Sequence, residues 1–331
     1  MATTTYGSIG TSTAGWMLKT ALEHAAPYLV IQNYTKSLAL AKNSTKTMNC
    51  RRPNLFPLVT TPLTEGVAPS AEAFSYTPVD IPLVQFGRVA ELTDVVQDMA
   101  KEPALKEMSE ILGEAMANTY EAVTYNTAKG GTSVFYANGG ARNVVNTQIT
   151  ATLLRNATRL LRRNKARFIG QRLAASPNYA TQPVGEAFFA FGHTDIDADL
   201  RAVLGSAFLP VEAYGASMKA EPYEVGKFEN IRFILSPEFT PWTDAGGAKG
   251  SMKSTGGTSA DVYPLVILGK DALATVALKG ANAMTPYVLQ PGEARGGDPI
   301  GQKGTVGFKS YFAAAILNDA WLTRIELAVS A

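Results

Sequence analysis

The sequence predicts an α+β protein, in which helices and strands are mixed without the regular alternation of a βαβ fold. Three observations predict this class. Residues 103–128 have the apolar spacing of one long helix, and residues 53–93 have the pattern of an extended hairpin. Short, nearly continuous apolar runs at 231–235 and 262–268 have the length of buried strands.

The long helix is predicted to begin at Pro103, whose fixed φ is already helical and whose missing N–H needs no partner there. Apolar residues then recur on one helical face as far as Val123. Such a helix would be roughly 37 Å long at ~1.5 Å per residue. Because no Glu-x-x-His pair accompanies them, we interpret four glutamates on another face as a solvated or salt-bridged surface. They are Glu107, Glu110, Glu114 and Glu121.

The arm that precedes this helix is apolar and rich in proline. Strand-like pieces at 56–63 and 74–92 flank a stretch, 65–72, that is rich in turn-forming residues. Since proline cannot donate to a strand ladder, these strands belong at a sheet edge, and an isolated hairpin is only marginally stable in water. We therefore expect the arm to lie on another copy of the chain. The candidate subunit-contact residues are Leu63, Glu65, Phe74, Tyr76, Ile81, Leu83 and Phe86.

Length, charge and cysteine content limit the class of protein. The 331 residues are enough for a sizeable core in one elaborated domain or two. A formal net charge of +2 gives no global basic field, and the single cysteine, Cys50, excludes an internal disulfide framework and fits a reducing compartment. Residues 1–15 lack the apolar core of a signal peptide, and no apolar run reaches the ~18–20 residues of a membrane span. We therefore expect a protein that is made in the cytosol and does not contact a membrane.

A second helix, near residues 147–164, carries a basic face. Its candidate residues are Arg155, Arg159, Arg162 and Arg163, with Arg167 just beyond. One interpretation is a patch that neutralises nucleic-acid phosphates without reading sequence. The other is a surface that is ion-paired or that faces acidic residues of a neighbouring subunit, as basic helix faces commonly are.

Motifs for enzyme chemistry are missing. His24 and His193 do not have the spacing of a zinc site. Asp195, Asp197 and Asp199 resemble the start of a calcium loop, but the glycine and glutamate that the loop requires are absent, so we interpret them as helix N-terminal acids. The glycine-rich stretch 296–304 lacks the Lys-Ser or Lys-Thr of a phosphate loop. We therefore predict no catalytic residues, no cofactor, no metal and no enzyme activity.

Two predictions concern the C-terminal third of the chain. Residues 270–279 are predicted to form a short helix that ends at Gly280. Residues 305–317 and 321–329 are predicted to form a hairpin that turns near Asn318.

Several segments together resemble the major capsid proteins of tailed bacteriophages, in particular the branch typified by coliphage N-four. The densest match is residues 60–69, TTPLTEGVAP. Other matching segments are 26–30 (APYLV), 92–95 (LTDV), 102–107 (EPALKE) and 112–114 (LGE). The resemblance covers most of residues 26–201; beyond residue 201 it lies in the order of the elements more than in particular residues.

The resemblance implies the Hong Kong 97-type capsid fold. It assigns an N-terminal arm to 1–52, an extended E-loop hairpin to 53–93, a peripheral domain to 94–142 and 283–331 with a spine helix at about 103–128, and an axial domain to 143–282. Copies would self-assemble as hexamers and pentamers into an icosahedral phage head around double-stranded DNA, which they would contact non-specifically. Portal, scaffold or decoration proteins are further possible partners.

The implied location is the virion capsid, after synthesis and assembly in the bacterial host cytoplasm. Two alternatives stay open. The same fold also builds encapsulin-like compartment shells, which enclose cargo enzymes instead of DNA. A less favoured alternative is a DNA-binding protein that uses the basic face at 155–167.

Overall fold

The computed structural model describes residues 29–54, 56–95, 104–173, 181–215, 219–279, 284–289, 291–292 and 297–331, with the backbone alone at 104–106 and 284–286. The N-terminal arm up to residue 28, including His24, and the predicted helix start at Pro103 lie outside these residues.

Three helices are present in the described chain: α1 (Ala104–Ala128), α2 (Ala151–Arg163) and α3 (Ile196–Leu204). The 25 residues of α1 confirm the predicted long helix. Thr150 caps α2, because its hydroxyl accepts a hydrogen bond from the Leu153 N–H at 3.3 Å. Short 3₁₀ turns lie at Ile31–Tyr34, Arg142–Val144, Gly205–Ala207, Val211–Ala213 and Asp319–Trp321.

The strands of the described chain form three sheets. The smaller sheet consists of β1 (Lys36–Ala41), β4 (Val84–Thr93), β12 (Leu273–Lys279), β13 (Met284–Leu289) and β14 (Lys303–Ile316). The hairpin consists of β2 (Thr47–Pro53) and β3 (Tyr76–Pro82). The larger sheet consists of β5 (Val134–Tyr136), β6 (Ile169–Leu173), β7 (Thr181–Gly192), β8 (Phe208–Pro210), β9 (Glu224–Phe228), β10 (Ile231–Leu235), β11 (Tyr263–Leu268) and β15 (Leu322–Leu327).

The larger sheet has an apolar core on each of its faces. Its order is β5-β15-β11-β7-β10-β9-β8, with β6 added alongside β7. Since side chains alternate along a strand, Phe188 of β7 points into a core closed by α2 and α3. Phe189 and Phe191 point to the opposite core, which contains Tyr125 from the C-terminal part of α1. α1 and α2 therefore lie on opposite faces of this sheet.

The smaller sheet is also covered on both faces. Its order is β1-β12-β14-β13, and β4 pairs with β14. Leu112 and Met116 of α1 pack on Val306 and Phe308 of β14. The opposite face packs against the base of the hairpin. One long helix thus spans both sheets, and the hairpin and α2 each lie on a face that points away from it.

Three sequence predictions about elements are wrong. The segment 56–63 is not a strand, and β2 instead supplies the partner of β3, because Pro57 and Pro62 remove backbone donors. Residues 270–279 contain β12 and not a helix. The four consecutive residues from Leu273 to Val276 are all buried, because both faces of their sheet are covered. The sequence there shows neither the two-residue alternation of a strand nor the 3.6-residue period of a helix, so it did not distinguish the two.

The predicted C-terminal hairpin is also absent. β14 belongs to the smaller sheet and β15 to the larger one, and the turn Asp319–Trp321 carries the chain between them. β12 lies in the smaller sheet although the resemblance assigns it to the axial domain, and β15 lies in the larger sheet although the resemblance assigns it to the peripheral domain.

Candidate functional site

The described residues do not form a site for metal chemistry. Among them, no three His, Cys, Asp or Glu side chains are placed to hold a metal ion. The Asp195 N–H donates to Nδ1 of His193 at 3.1 Å, and burial lowers the pKa of that histidine. Asp197 and Asp199 lie in the first turn of α3, which confirms that they are helix N-terminal acids.

Among the helices of the described residues, none combines the length and the apolar character that a membrane span requires.

The arm is a short ladder that ends in a long irregular segment. β2 and β3 pair in antiparallel register from Thr47 opposite Pro82 to Pro53 opposite Tyr76. At the far end of the ladder, Asn54 Nδ2 donates to the Ser75 hydroxyl at 3.0 Å. Beyond it, residues 56–75, which we call the arm tip, form no strand. The ladder therefore holds the arm tip away from the sheet.

The arm tip exposes most of its large apolar side chains. Leu58 is 84% exposed and Leu63 is 74% exposed. Phe56 and Phe74 contact each other, with ring centroids 5.9 Å apart, and Phe74 meets Tyr76 edge-on at 4.6 Å. Exposed apolar patches of this kind mark surfaces that bind another protein or a membrane. The arm tip is therefore the first candidate for an interaction surface.

The predicted contact residues divide into two groups. Leu63, Glu65, Phe74 and Tyr76 are exposed, and Phe86 of β4 is half-buried. Ile81 and Leu83 are only 1% and 3% exposed in the single chain, so their contact with another subunit stays a prediction. These two side chains lie at the base of the hairpin. They pack within their own chain in a cluster that includes Leu40, Val276 and Ala313.

Sequence reasoning missed four apolar residues of the arm tip. Phe56, Leu58, Val59 and Val67 are all exposed and were not among the candidates. The signal was available, since all four are apolar and lie in a segment whose prolines prevent it from joining a sheet.

The basic face lies on the solvent side of α2, which packs Leu154 and Leu161 against the larger sheet. All five candidate arginines are exposed. Nε of Arg155 lies 2.8 Å from a carboxylate oxygen of Glu229, so this member is ion-paired within the chain. The Arg162 guanidinium lies over the Phe168 ring at 5.8 Å. The face thus has one ion-paired end and an exposed remainder that consists of Arg159, Arg163 and Arg167.

A buried carboxylate on α1 anchors the start of the described chain. Glu121, which we grouped with the solvated glutamates, is buried instead. Its carboxylate accepts hydrogen bonds from the Ile31 N–H at 2.9 Å and the Gln32 N–H at 3.3 Å. Burial raises the pKa of Glu121 to about 7, partly offset by these backbone donors. The segment at residues 31–34, which we call the arm root, is therefore attached to the long helix through one titratable group.

A second buried cluster anchors the same segment to the larger sheet. Tyr34 stacks on Phe189 with ring centroids 4.4 Å apart, and its hydroxyl donates to Glu221 at 3.4 Å. Burial raises the pKa of Tyr34 and of Glu221. Nearby, Arg232 Nε donates to Glu224 at 2.7 Å in an almost fully buried ion pair. These contacts make the arm root a fixed part of the fold.

Comparisons with known proteins match this chain to phage capsid proteins. The model of a family described as phage capsid protein matches residues 76–325. The major capsid protein of Pseudomonas phage KPP21 is 27% identical over 128 residues, which are 36% of this chain and 32% of that protein. The match therefore spans about a third of the length of this curated relative.

Solved phage capsids have the same fold. The capsid of Ralstonia phage GP4 matches with a TM-score of 0.66 at 11% identity, over 91% of this chain and 88% of that one. The capsid of cyanophage P-SCSP1u matches with a TM-score of 0.59 at 15% identity, over 91% and 89%. The head of Helicobacter pylori bacteriophage KHP40 matches with a TM-score of 0.60 at 10% identity, over 90% and 88%. The Hong Kong 97-type fold expected from the sequence is therefore confirmed.

Proposed function

This chain belongs to the phage capsid protein family, and we propose that it is a major capsid protein whose copies assemble as hexamers and pentamers into an icosahedral phage head. In this proposal the shell encloses double-stranded DNA and is assembled in the cytoplasm of the bacterial host. The protein acts as a building block and catalyses no reaction.

The observation that carries the proposal is the arm tip. It holds exposed apolar side chains at the end of a ladder that separates them from the chain's own cores. Covering apolar surface gains ~25 cal/mol per Å², and a specific protein interface buries roughly 1,200–2,000 Å² in total. Ordering the segment reduces this gain, while many repeated contacts in a closed shell add to it. The arm tip therefore suits a contact that is weak in one pair of subunits and strong in a shell.

The domains of the proposed capsid subunit follow the sheets. In this proposal the hairpin with its arm tip is the E-loop and α1 is the spine helix. The smaller sheet, which packs on most of α1, belongs to the peripheral domain. The larger sheet with α2 and α3 forms the axial domain, which would meet its copies at the centre of each capsomer.

Contact with DNA is proposed to be non-specific and weak. The exposed arginines of α2 supply charge that suits phosphates, but the chain has a formal net charge of only +2. A dedicated DNA-binding protein would need a stronger basic field, so no observation favours that alternative. The compartment alternative shares the fold, and DNA protected inside purified particles would exclude it.

The proposal is tested by expressing the full chain and fractionating it by sedimentation, followed by negative-stain electron microscopy. The expected result is closed particles of uniform size. The matched control replaces residues 56–75 with a Gly-Ser segment of equal length, and this variant should remain as folded, dispersed subunits. Wild-type protein that stays dispersed under conditions in which related capsid proteins assemble would contradict the proposal.

A further inference from the structure

We propose that the arm tip of one subunit docks into a cleft at the base of the hairpin of a second copy of this chain. The inference rests on the proposed function and goes further, because it identifies the surface that receives the arm tip. The cleft lies between the turn that joins β1 to β2 and the point where β3 passes into β4.

The cleft is open, apolar at its floor and large enough for several side chains. Its volume is about 610 Å³, within the ~300–1,000 Å³ typical of pockets that hold a compact ligand. Leu40 and Leu83 form a buried floor, and the Leu83 N–H closes one end by donating to the Lys46 carbonyl at 3.0 Å. Val84 and Tyr311 also line the cleft, and both are exposed; Val84 is 52% exposed. The cleft therefore offers uncovered apolar surface to a partner.

The edge of the cleft is basic. Lys42 and Lys46 both line it and are exposed. The lining residues that the structure describes include no acidic side chain. A partner that is apolar and carries negative charge fits this combination of floor and edge.

The arm tip has this composition. Residues 56–75 contain two acidic residues, Glu65 and Glu72, and no lysine or arginine. Both glutamates are exposed, and they flank the exposed Val67. The arm tip thus combines apolar side chains with negative charge, and the cleft combines an apolar floor with positive charge.

In the described structure the arm tip lies far from the cleft of its own subunit. Lys46 and Leu83 lie at the base of the β2–β3 ladder, and the arm tip lies at its opposite end. Seven paired residues at ~3.3 Å each separate the two ends by roughly 23 Å. The arm tip of another copy can reach the cleft without bending back along its own ladder, which makes it the favoured occupant.

The test is a reciprocal exchange of charge. Glu65→Lys with Glu72→Lys, or Lys42→Glu with Lys46→Glu, should each lower the yield of closed particles by about tenfold or more, because repulsion repeats at every contact of the shell. Combining all four substitutions restores opposite charges and should restore particles. The matched control combines the two arm-tip substitutions with Lys270→Glu, an exposed lysine on the turn before β12, and should not restore them.

The outcome that overturns the inference is distinct from failure of the proposed function. If wild-type chains form shells and the four-substitution variant, folded by circular dichroism, does not, the inference is wrong. If wild-type chains form no shells, the proposed function itself fails.

A crosslink gives a second readout that does not depend on charge. In a Cys50→Ser background, one population carries Val67→Cys in the arm tip and a differently tagged population carries Asn43→Cys at the cleft. After the two are mixed and assembled, mild oxidation should produce disulfide-linked pairs that contain both tags. Intact mixed shells without such pairs would contradict docking of the arm tip in this cleft.

Discussion

Replacing Glu121 with glutamine should remove one specific component of the pH dependence of stability. In the folded protein the pKa of Glu121 is raised to about 7 from an ordinary value of 4.5, because the carboxylate is buried. An acid whose pKa is raised by folding favours the folded state most below pH 4.5, where it is protonated in both states. That contribution is lost as pH rises toward 7, since the unfolded chain then releases the proton more readily.

The expected magnitude follows from the same two values. The interval from 4.5 to about 7 corresponds to ~3 kcal/mol at ~1.36 kcal/mol per pH unit. Between pH 4.5 and 7, the free energy of unfolding of wild-type subunits should therefore fall by ~3 kcal/mol more than that of the Glu121→Gln variant. Glutamine keeps one carbonyl oxygen for the backbone donors at Ile31 and Gln32, so the arm root keeps an acceptor.

The assay is guanidinium unfolding of dispersed subunits, followed by tryptophan fluorescence across this pH range. The matched control is Glu107→Gln, an exposed glutamate in the first turn of the same helix, which should keep the wild-type pH dependence. Hydrogen exchange at Ile31 and Gln32 gives a local readout of the same contact. Equal pH dependence in wild type and Glu121→Gln would refute the reasoning.

Three further predictions concern other parts of the structure. Glu224→Ala should lower the free energy of unfolding by ~3–5 kcal/mol in chemical denaturation, because it leaves Arg232 buried and unpaired, while an unchanged value would show that water replaces the carboxylate. Gly-Ser replacement of the arm tip should leave the melting temperature of dispersed subunits within a few degrees of wild type, and a collapse of the fold would contradict a tip that stands free of the cores. Arg159→Ala with Arg163→Ala should lower the salt slope of DNA binding to particles or subunits by about 2, whereas an unchanged slope would exclude the α2 face as the DNA contact.

The sequence was sufficient for elements whose pattern has a single interpretation. The apolar spacing of α1 extends over about five turns and matches no strand. The short apolar runs of β10 and β11 lie between clear turn signals. The prolines of the arm correctly excluded it from the middle of a sheet, since β3 pairs with β2 alone and β4 with β14 alone.

Other features depend on tertiary contacts that local patterns do not encode. The sequence around Ile81 and Leu83 alternates apolar and polar residues, as it would in an arm that lies free of its own chain. These two residues belong to the core only because they pack on the smaller sheet. Glu121 shares a helical face with glutamates that are exposed or half-buried, and its burial depends on a segment 90 residues away in the sequence. The cleft at the base of the hairpin was not predictable for the same reason, because it is formed by residues from four separate strands and from the turn that joins β1 to β2.

The measurement that tests the central claim most directly is a cryo-electron microscopy reconstruction of particles assembled from the full chain, at a resolution that traces residues 56–75. The account predicts closed shells in which the arm tip of every subunit lies on a neighbouring copy, with Leu58, Leu63 and Phe74 covered. Shells in which the arm tip contacts only its own subunit, or remains exposed to solvent, would contradict it.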